Sequence, residues 1–352
     1  MTGIGTGGDS LLLAGDLGGT KTNLAVYAPE AGPHRPLVEM TLPSARYPSL
    51  EALVRDFLAR AGVTVASATF GVAGPVVDGT ATITNLSWRM DEADLCRNLD
   101  LHAVTLLNDL ESVAHAVPIL EPSDIETINA GRPVRTGTIA VLAPGTGLGE
   151  AYLTWDGTHY RGYASEGGHA DFAPTSPLEL DLLRYLLGRF DHVSYERVCA
   201  GIGIPNLYAF LKDSGVAAEP DWLAAELAAA HDPTPVIVKA ALADAAGAAG
   251  ESEHGERRCA LCARTMDLFV DILAAQAGNL ALTLLATGGV YLGGGIPPRI
   301  LPLLQSGRFM PIFRHKGRFA ELLGAVPVHV ILNPKAALLG AARRGLEARL
   351  TL

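Results

Sequence analysis

The 352-residue chain has only four cysteines, at positions 96, 199, 259 and 262. They are too few and too scattered to staple a chain of this size, which excludes a disulfide framework and favours a reducing compartment, the cytoplasm. Basic runs are missing as well. A formal net charge of −10, with no cluster of Lys or Arg, leaves no electrostatic footprint for a nucleic-acid backbone or an anionic membrane surface. Neither nucleic acid nor a membrane is therefore expected as a partner. Residues 1–10 lack the positive start and apolar stretch of a secretory signal and are expected to form a disordered leader. Asn85-Leu86-Ser87 matches a glycosylation acceptor, but without such a signal it has no route to the glycosylation machinery. The longest apolar run, 268–285, is broken by Asp271, Gln276 and Asn279, so it is expected to be a buried helix and not a membrane span, despite a mean hydropathy of +0.25. The common nucleotide signatures are also absent. No G-x-x-x-x-G-K-[ST] occurs, and Gly145-x-Gly147-x-Gly149 lacks the spacing and later acidic residue of a dinucleotide fold.

With 49% hydrophobic residues, the chain is long enough for two lobes, each with its own core. The apolar run 11–15 ends in Asp16, and a Gly18-Gly19 turn follows: strand, tight turn, strand. Further short runs bounded by Gly, Pro or Asn, at 69–72, 104–107, 139–143, 289–292 and 328–332, predict strands. Leu50, Leu53, Val54, Phe57 and Leu58 recur at helical spacing, as do Leu178, Leu182, Leu183, Leu186 and Leu187. The fold class is α/β. The similar glycine turns near 15–20 and 143–149 suggest two related lobes. The Ala-rich stretch 240–258 turns polar at 250–256, which predicts a helix running into an exposed loop with no chemistry.

Three glycine-rich turns, Gly18-Gly19-Thr20, Gly145-Thr146-Gly147 and Gly293-Gly294-Gly295, point to a nucleotide site, because glycine lets backbone N–H groups approach phosphate oxygens. Leu106-Leu107-Asn108-Asp109 delivers a carboxylate to a strand end, where it can accept the proton of an attacking hydroxyl. The same pair also suits a helix cap. Ser165-Glu166-Gly167-Gly168-His169-Ala170-Asp171 packs acids and a histidine around a Gly-Gly turn. His169-x-Asp171, with His192 or His231, imitates part of an iron triad.

Asp16-Leu17-Gly18-Gly19-Thr20 resembles the first phosphate turn of the sugar kinase, heat-shock protein and actin superfamily. Gly145-Thr146-Gly147 resembles the second, and Leu292-Gly293-Gly294-Gly295-Ile296 resembles the adenosine-facing element. Glu166-Gly167-Gly168-His169, Glu196-Arg197-Val198 and Asn85-Leu86-Ser87-Trp88 resemble the bacterial glucokinase pattern within that superfamily, and the resemblance covers nearly the whole chain. It implies a two-lobed, actin-like (ribonuclease H-like) fold with the active-site cleft between lobes. The small lobe would comprise 11–117 plus 333–352, and the large lobe 118–332. It implies an ATP-dependent glucokinase that forms glucose 6-phosphate, with Asp109 as general base, and a homodimer. Asn85, Asn108, Asp109, Glu166, His169 and Glu196 would bind the sugar. Asp16, Gly18, Gly19, Thr20, Lys21, Gly145, Thr146, Gly147, Gly294 and Gly295 would bind ATP, with Asp16 near Mg²⁺ through a water.

The first turn continues as Thr20-Lys21 where many glucokinases have Asn after Thr, so Lys21 faces either the phosphates or solvent. The Cys-x-Cys-Gly zinc cluster of the related repressor–kinase branch is missing, so His169 is not expected to bind zinc. Cys259 and Cys262 lack a second cysteine pair and are expected to pack inward from a helix. The rival readings are a kinase of the same fold for another hexose or amino sugar, or with polyphosphate as donor; a bare sugar sensor without catalysis; and an iron-dependent oxygenase built on His169 and Asp171. Only about ten residues precede the first strand, so a fused DNA-binding module ahead of the core is not expected.

Overall fold

The computed structural model describes residues 11–83, 86–248 and 258–349. The expected leader at 1–10, Asn85 and the loop expected at 250–256 lie outside the described residues. The chain opens with β1 (Leu12–Leu17), β2 (Lys21–Tyr27), β3 (Val38–Pro43), α1 (Leu50–Ala61), β4 (Ser67–Val72), β5 (Val76–Val77), β6 (Thr80–Ile83) and β7 (Trp88–Asp91). Next come α2 (Glu92–Leu99), β8 (Ala103–Asn108), α3 (Asp109–Ala116), β9 (Ile125–Asn129), β10 (Ile139–Pro144), β11 (Leu148–Trp155) and β12 (Tyr160–Ser165). The helices α4 (Pro177–Leu187), α5 (Ile204–Asp213), α6 (Asp221–Ala229), α7 (Thr234–Ala248) and α8 (Ala260–Leu284) follow. The last stretch holds β13 (Gly289–Leu292), α9 (Leu301–Leu304), α10 (Phe309–Phe313), α11 (Ala320–Ala325), β14 (Val328–Ile331) and α12 (Ala336–Arg349).

The chain divides into two compact units. One is drawn from Met1–Glu121, Ala151–Ala164 and Asn333–Leu352, the other from Pro122–Glu150 and Ser165–Leu332. Residues 151–164, expected in the larger lobe, group with the first unit. Gly162 abuts the His115 imidazole so closely that a Cβ there would come within 2.7 Å of Nε2.

The first unit holds a five-stranded sheet of order β3-β2-β1-β4-β8, with β1, β4 and β8 parallel and β2 antiparallel to β1. Alternation along β1 assigns its two faces. Leu13 and Leu17 pack with Phe57, Leu53 and Val54 of α1, while Leu12 and Ala14 pack with Leu338, Ala341 and Ala342 of α12. Because both faces are buried, β4 is apolar or small throughout and shows no alternation. A short sheet, β5-β6-β7, adds Trp88 to the α1-side core.

A six-stranded sheet of order β12-β11-β10-β13-β14-β9 has the same third-second-first-fourth-fifth sequence of strands, with β9 added antiparallel on the far edge. This shared order agrees with the two related glycine turns. In the second unit α8 is the central helix. Leu268, Phe269, Ile272 and Leu273 are buried, and its polar interruptions are used inside: Gln276 donates to Glu150 at 2.7 Å and Asn279 to the Tyr195 hydroxyl at 2.9 Å. Length and composition alone would let α8 cross a membrane, but here it is a core helix. Cys259 caps α8, its sulfur accepting from the Cys262 N–H, and both side chains are buried as expected.

Candidate active site

In the first unit the register places Leu17, Val72 and Asn108 side by side at the carboxyl ends of β1, β4 and β8. Asp16 and Asp109 therefore emerge at one edge of one sheet, two strand spacings or about 10 Å apart. Open α/β sheets bind ligands outside this edge. Gly71 lies between them, paired with both Asp16 and Leu107, and its missing side chain leaves the space that Ser112 of α3 fills.

The first glycine turn closes through Gly18 N–H to Lys21 C=O at 3.1 Å. A side chain on Gly18 would stand 2.8 Å from that carbonyl oxygen, so the tight turn needs glycine. Ser44 pins the turn from below, donating to the Gly18 carbonyl at 2.7 Å and bonding the Thr22 hydroxyl at 2.9 Å. Thr20 and Lys21 are exposed at its tip, so the Lys21 ammonium is available to solvent or to an anion. Asp16 Oδ2 accepts from Asn23 at 3.1 Å. Burial pushes the Asp16 carboxyl pKa up, with Asn23 and Lys21 opposing. A carboxylate penalised by burial fits a cation beside it, and one carboxylate with water is the donor set that Mg²⁺ accepts.

Asn108 is the N-cap of α3: its Oδ1 accepts from the N–H groups of Leu110 at 2.9 Å and Glu111 at 3.3 Å, and its amide donates to the Gly74 carbonyl at 3.0 Å. The capping role that sequence analysis left open for the pair thus falls on Asn108. Asp109 is the first helical residue, half-buried, with Oδ1 accepting from Leu110 N–H at 2.9 Å. Trp88, the last residue of the 85–88 segment, is a 3%-exposed core side chain.

In the second unit the turn 145–147 joins β10 to β11. Its carbonyls are held by Gly201 N–H on Gly145 at 2.8 Å and Ile202 N–H on Thr146 at 3.2 Å. Gly294, at φ +79°, presses on the Pro144 carbonyl, where a Cβ would stand 2.6 Å from the oxygen. These turns border a cavity of about 620 Å³. Thr146, Gly145 and Gly295 lie at its rim, Val238, Leu242, Ile296 and Ile300 form apolar wall, and Lys239 and Arg299 add cations. A polar glycine rim beside an apolar slot suits a nucleotide. Asp232, Lys239 and Arg299 were not among the expected site residues; Pro297-Pro298 beside the third glycine turn was a signal for Arg299, and no glycine turn adjoins Asp232 or Lys239 in sequence.

The loops 166–172 and 193–196 are laced together by Tyr195 N–H to Ala170 C=O at 3.0 Å, Phe172 N–H to Val193 C=O at 2.9 Å and a bridge between Asp171 and Ser194. Glu166, His169 and Glu196 are thereby gathered on one side of the second unit. Glu166 and His169 are exposed and 3.9 Å apart. Glu196 Oε2 accepts from Leu148 N–H at 3.0 Å, which ties this loop to the second glycine turn. Beneath them Glu150 is buried, reaching under Gly167, and burial raises its pKa while Gln276 opposes the rise. Asp171 pairs with His192 at 2.8 Å, and among the described residues no three His, Cys, Asp or Glu side chains converge as metal ligands. The donor set that the iron reading requires is not assembled there.

A glucokinase family model matches residues 13–347. The chain belongs to the glucokinase family. It is 40% identical over 343 residues to a glucokinase of Nostoc punctiforme, covering 95% of this chain and 98% of the relative, and 40% identical over 348 residues to one of Trichormus variabilis, with the same coverage. A crystal structure of glucokinase from an Antarctic psychrotroph superposes with a TM-score of 0.79 at 30% identity, covering 96% of this chain and 99% of that one. The fold is accordingly the two-lobed, actin-like α/β class that the glycine turns led us to expect.

Proposed function

We propose that the chain transfers the γ-phosphoryl group of ATP to the 6-hydroxyl of glucose, with Asp109 as general base. The observation that carries the reading is the delivery of Asp16 and Asp109 to one carboxyl edge by β1 and β8 in a chain of the glucokinase family. The Asp109 carboxylate accepts the proton of the sugar O6 as the O6–Pγ bond forms and the bond from Pγ to the ADP oxygen breaks. Asn108 fixes the helix start and so aims Asp109. Asn108, Glu166, His169 and Glu196, with Asn85, bind the sugar hydroxyls. Each carboxylate accepts two hydroxyl protons, which rewards one epimer over another.

Gly18, Gly19, Thr20 and Lys21 bind phosphate, and Gly145, Thr146, Gly147, Gly294 and Gly295 bind the nucleotide. Asp16 would hold Mg²⁺, through water, and the ion would offset phosphate charge. Cysteine usage and net acidity support a cytoplasmic enzyme, and the family resemblance supports a homodimer. The deciding experiment is a coupled assay for glucose 6-phosphate with ATP, Mg²⁺ and a panel of hexoses. Glucose-selective turnover is expected, and glucose binding without turnover on any hexose would replace this reading with the sensor.

A further inference from the structure

A second cavity, of about 440 Å³, lies wholly within the first unit, where α3, α12 and residues 159–163 meet. Its volume falls within the range of small-molecule sites. The unmatched charges in its wall define the chemistry of an occupant. Arg161 is held by Asp156 at 2.6 Å, and Arg343, just behind the wall, by Glu347 at 2.7 Å. Arg344 lines the cavity half-buried and forms no ion pair among the described residues. Two polar atoms at the same place are buried without a hydrogen-bond partner: Glu347 Oε2 and Nδ1 of His115, a residue 3% exposed. Buried polar groups are rarely left without a partner.

An unpaired, half-desolvated guanidinium selects an anion with two or more oxygens in a fork. Glu111 and Glu347 on the same wall repel a bare anion and instead require donors, which hydroxyl groups supply. We propose that this cavity is a second ligand site for a small phosphorylated polyol, with Arg344 on the phosphate and Glu111 and Glu347 accepting from hydroxyls. The site has a mechanical link to Asp109. His115 is on α3 six residues beyond Asp109, about 9 Å along the helix. α3 is clamped at Ser112, between Gly71 of β4 and Gly340 of α12, both of which approach too closely for a side chain. Movement of α12 on a ligand therefore presses on the helix that starts with Asp109. An effect on turnover rests on the proposed function; binding at the cavity does not.

The test is calorimetric titration of the full chain with glucose 6-phosphate, in saturating glucose and a non-hydrolysable ATP analogue so that the substrate sites are filled. One saturable site is expected. Arg344→Gln should weaken it about tenfold or more, the loss of a charge-assisted contact, and Arg344→Lys should weaken it less than Arg344→Gln, because it keeps the charge and loses the fork. Glu111→Gln should also weaken it, and inorganic phosphate should bind at least about tenfold less tightly than the sugar phosphate. All three variants should match the parent in melting temperature. No saturable binding, equal affinity of the parent and Arg344→Gln, or phosphate binding as tightly as the sugar phosphate would each overturn the proposal. Absence of hexose turnover in the separate coupled assay would remove the proposed function and leave the binding result standing.

Discussion

Glu196 Oε2 accepts the backbone N–H of Leu148 at 3.0 Å, and the same oxygen fills the space in which a side chain on Gly147 would lie. A carboxylate proposed to bind the sugar is thus wedged against the glycine turn proposed to bind phosphate. The two halves of the proposed reaction share a group, and a change on either side of this contact should register on the other.

That contact makes Gly147→Ala informative. The added methyl collides with the Glu196 carboxylate, whose anchoring bond to Leu148 then has to lengthen or break. KM should rise about tenfold or more for both ATP and glucose, because losing one charge-assisted hydrogen bond of this kind costs about 1.5–3 kcal/mol. Steady-state kinetics in both substrates would check it. A rise for ATP alone would mean that the turn moves while Glu196 stays.

Glu196 itself divides structure from recognition. Gln at 196 keeps an acceptor for Leu148 N–H, so Glu196→Gln should hold the parent melting temperature while glucose KM rises. Glu196→Ala leaves the N–H of the buried Leu148 without its partner and should lower the melting temperature as well. Thermal melts read beside glucose KM separate the two effects.

Asp109→Asn preserves shape at the first position of α3 and removes proton acceptance. Turnover should fall about 100- to 10,000-fold, the usual contribution of a positioned base, while glucose affinity stays within a few-fold. Isothermal titration with glucose and the coupled assay measure the two quantities. Near-parent turnover would remove Asp109 from the role of base, and a large loss of glucose affinity would make it a binding group.

The sequence was most readable where local chemistry dictates structure. The apolar runs at 69–72, 104–107, 139–143 and 289–292 became β4, β8, β10 and β13, because uninterrupted short runs bounded by turn residues suit strands buried on both faces. The leucine spacings at 50–58 and 178–187 became α1 and α4. The glycine turns were legible because Gly18 and Gly294 occupy positions that a side chain would obstruct. What escaped depends on distant pairing. The hairpin at 151–164 groups with the first unit through Gly162 against His115, a contact with no local signature. Asn108 and Asp109 offered two roles for one pair of residues, and only hydrogen bonds to Leu110 and Glu111 assign the cap to Asn108. The burial of Trp88 depends on β6 and β7 pairing, which is invisible in a single sequence.

Acid stability provides a prediction independent of catalysis. His329 on β14 is tilted against the Tyr291 ring, with centroids 5.0 Å apart, and its Nδ1 bonds the Thr127 hydroxyl at 3.0 Å. Burial pushes its pKa below the ordinary imidazole value. The fold therefore favours the neutral ring. As pH falls through about 6.5, the ordinary imidazole value, the unfolded chain takes up the proton first. The contribution of this residue to stability is complete above that pH and is lost progressively below it, down to the depressed native value. His329→Gln keeps a polar partner for Thr127 and cannot titrate. Between about pH 6.5 and 5, still above the ordinary carboxylate range, its melting temperature should fall less steeply than that of the parent. Parallel melting curves for the two proteins across that window would show that His329 is protonated in the folded state as readily as in the unfolded one.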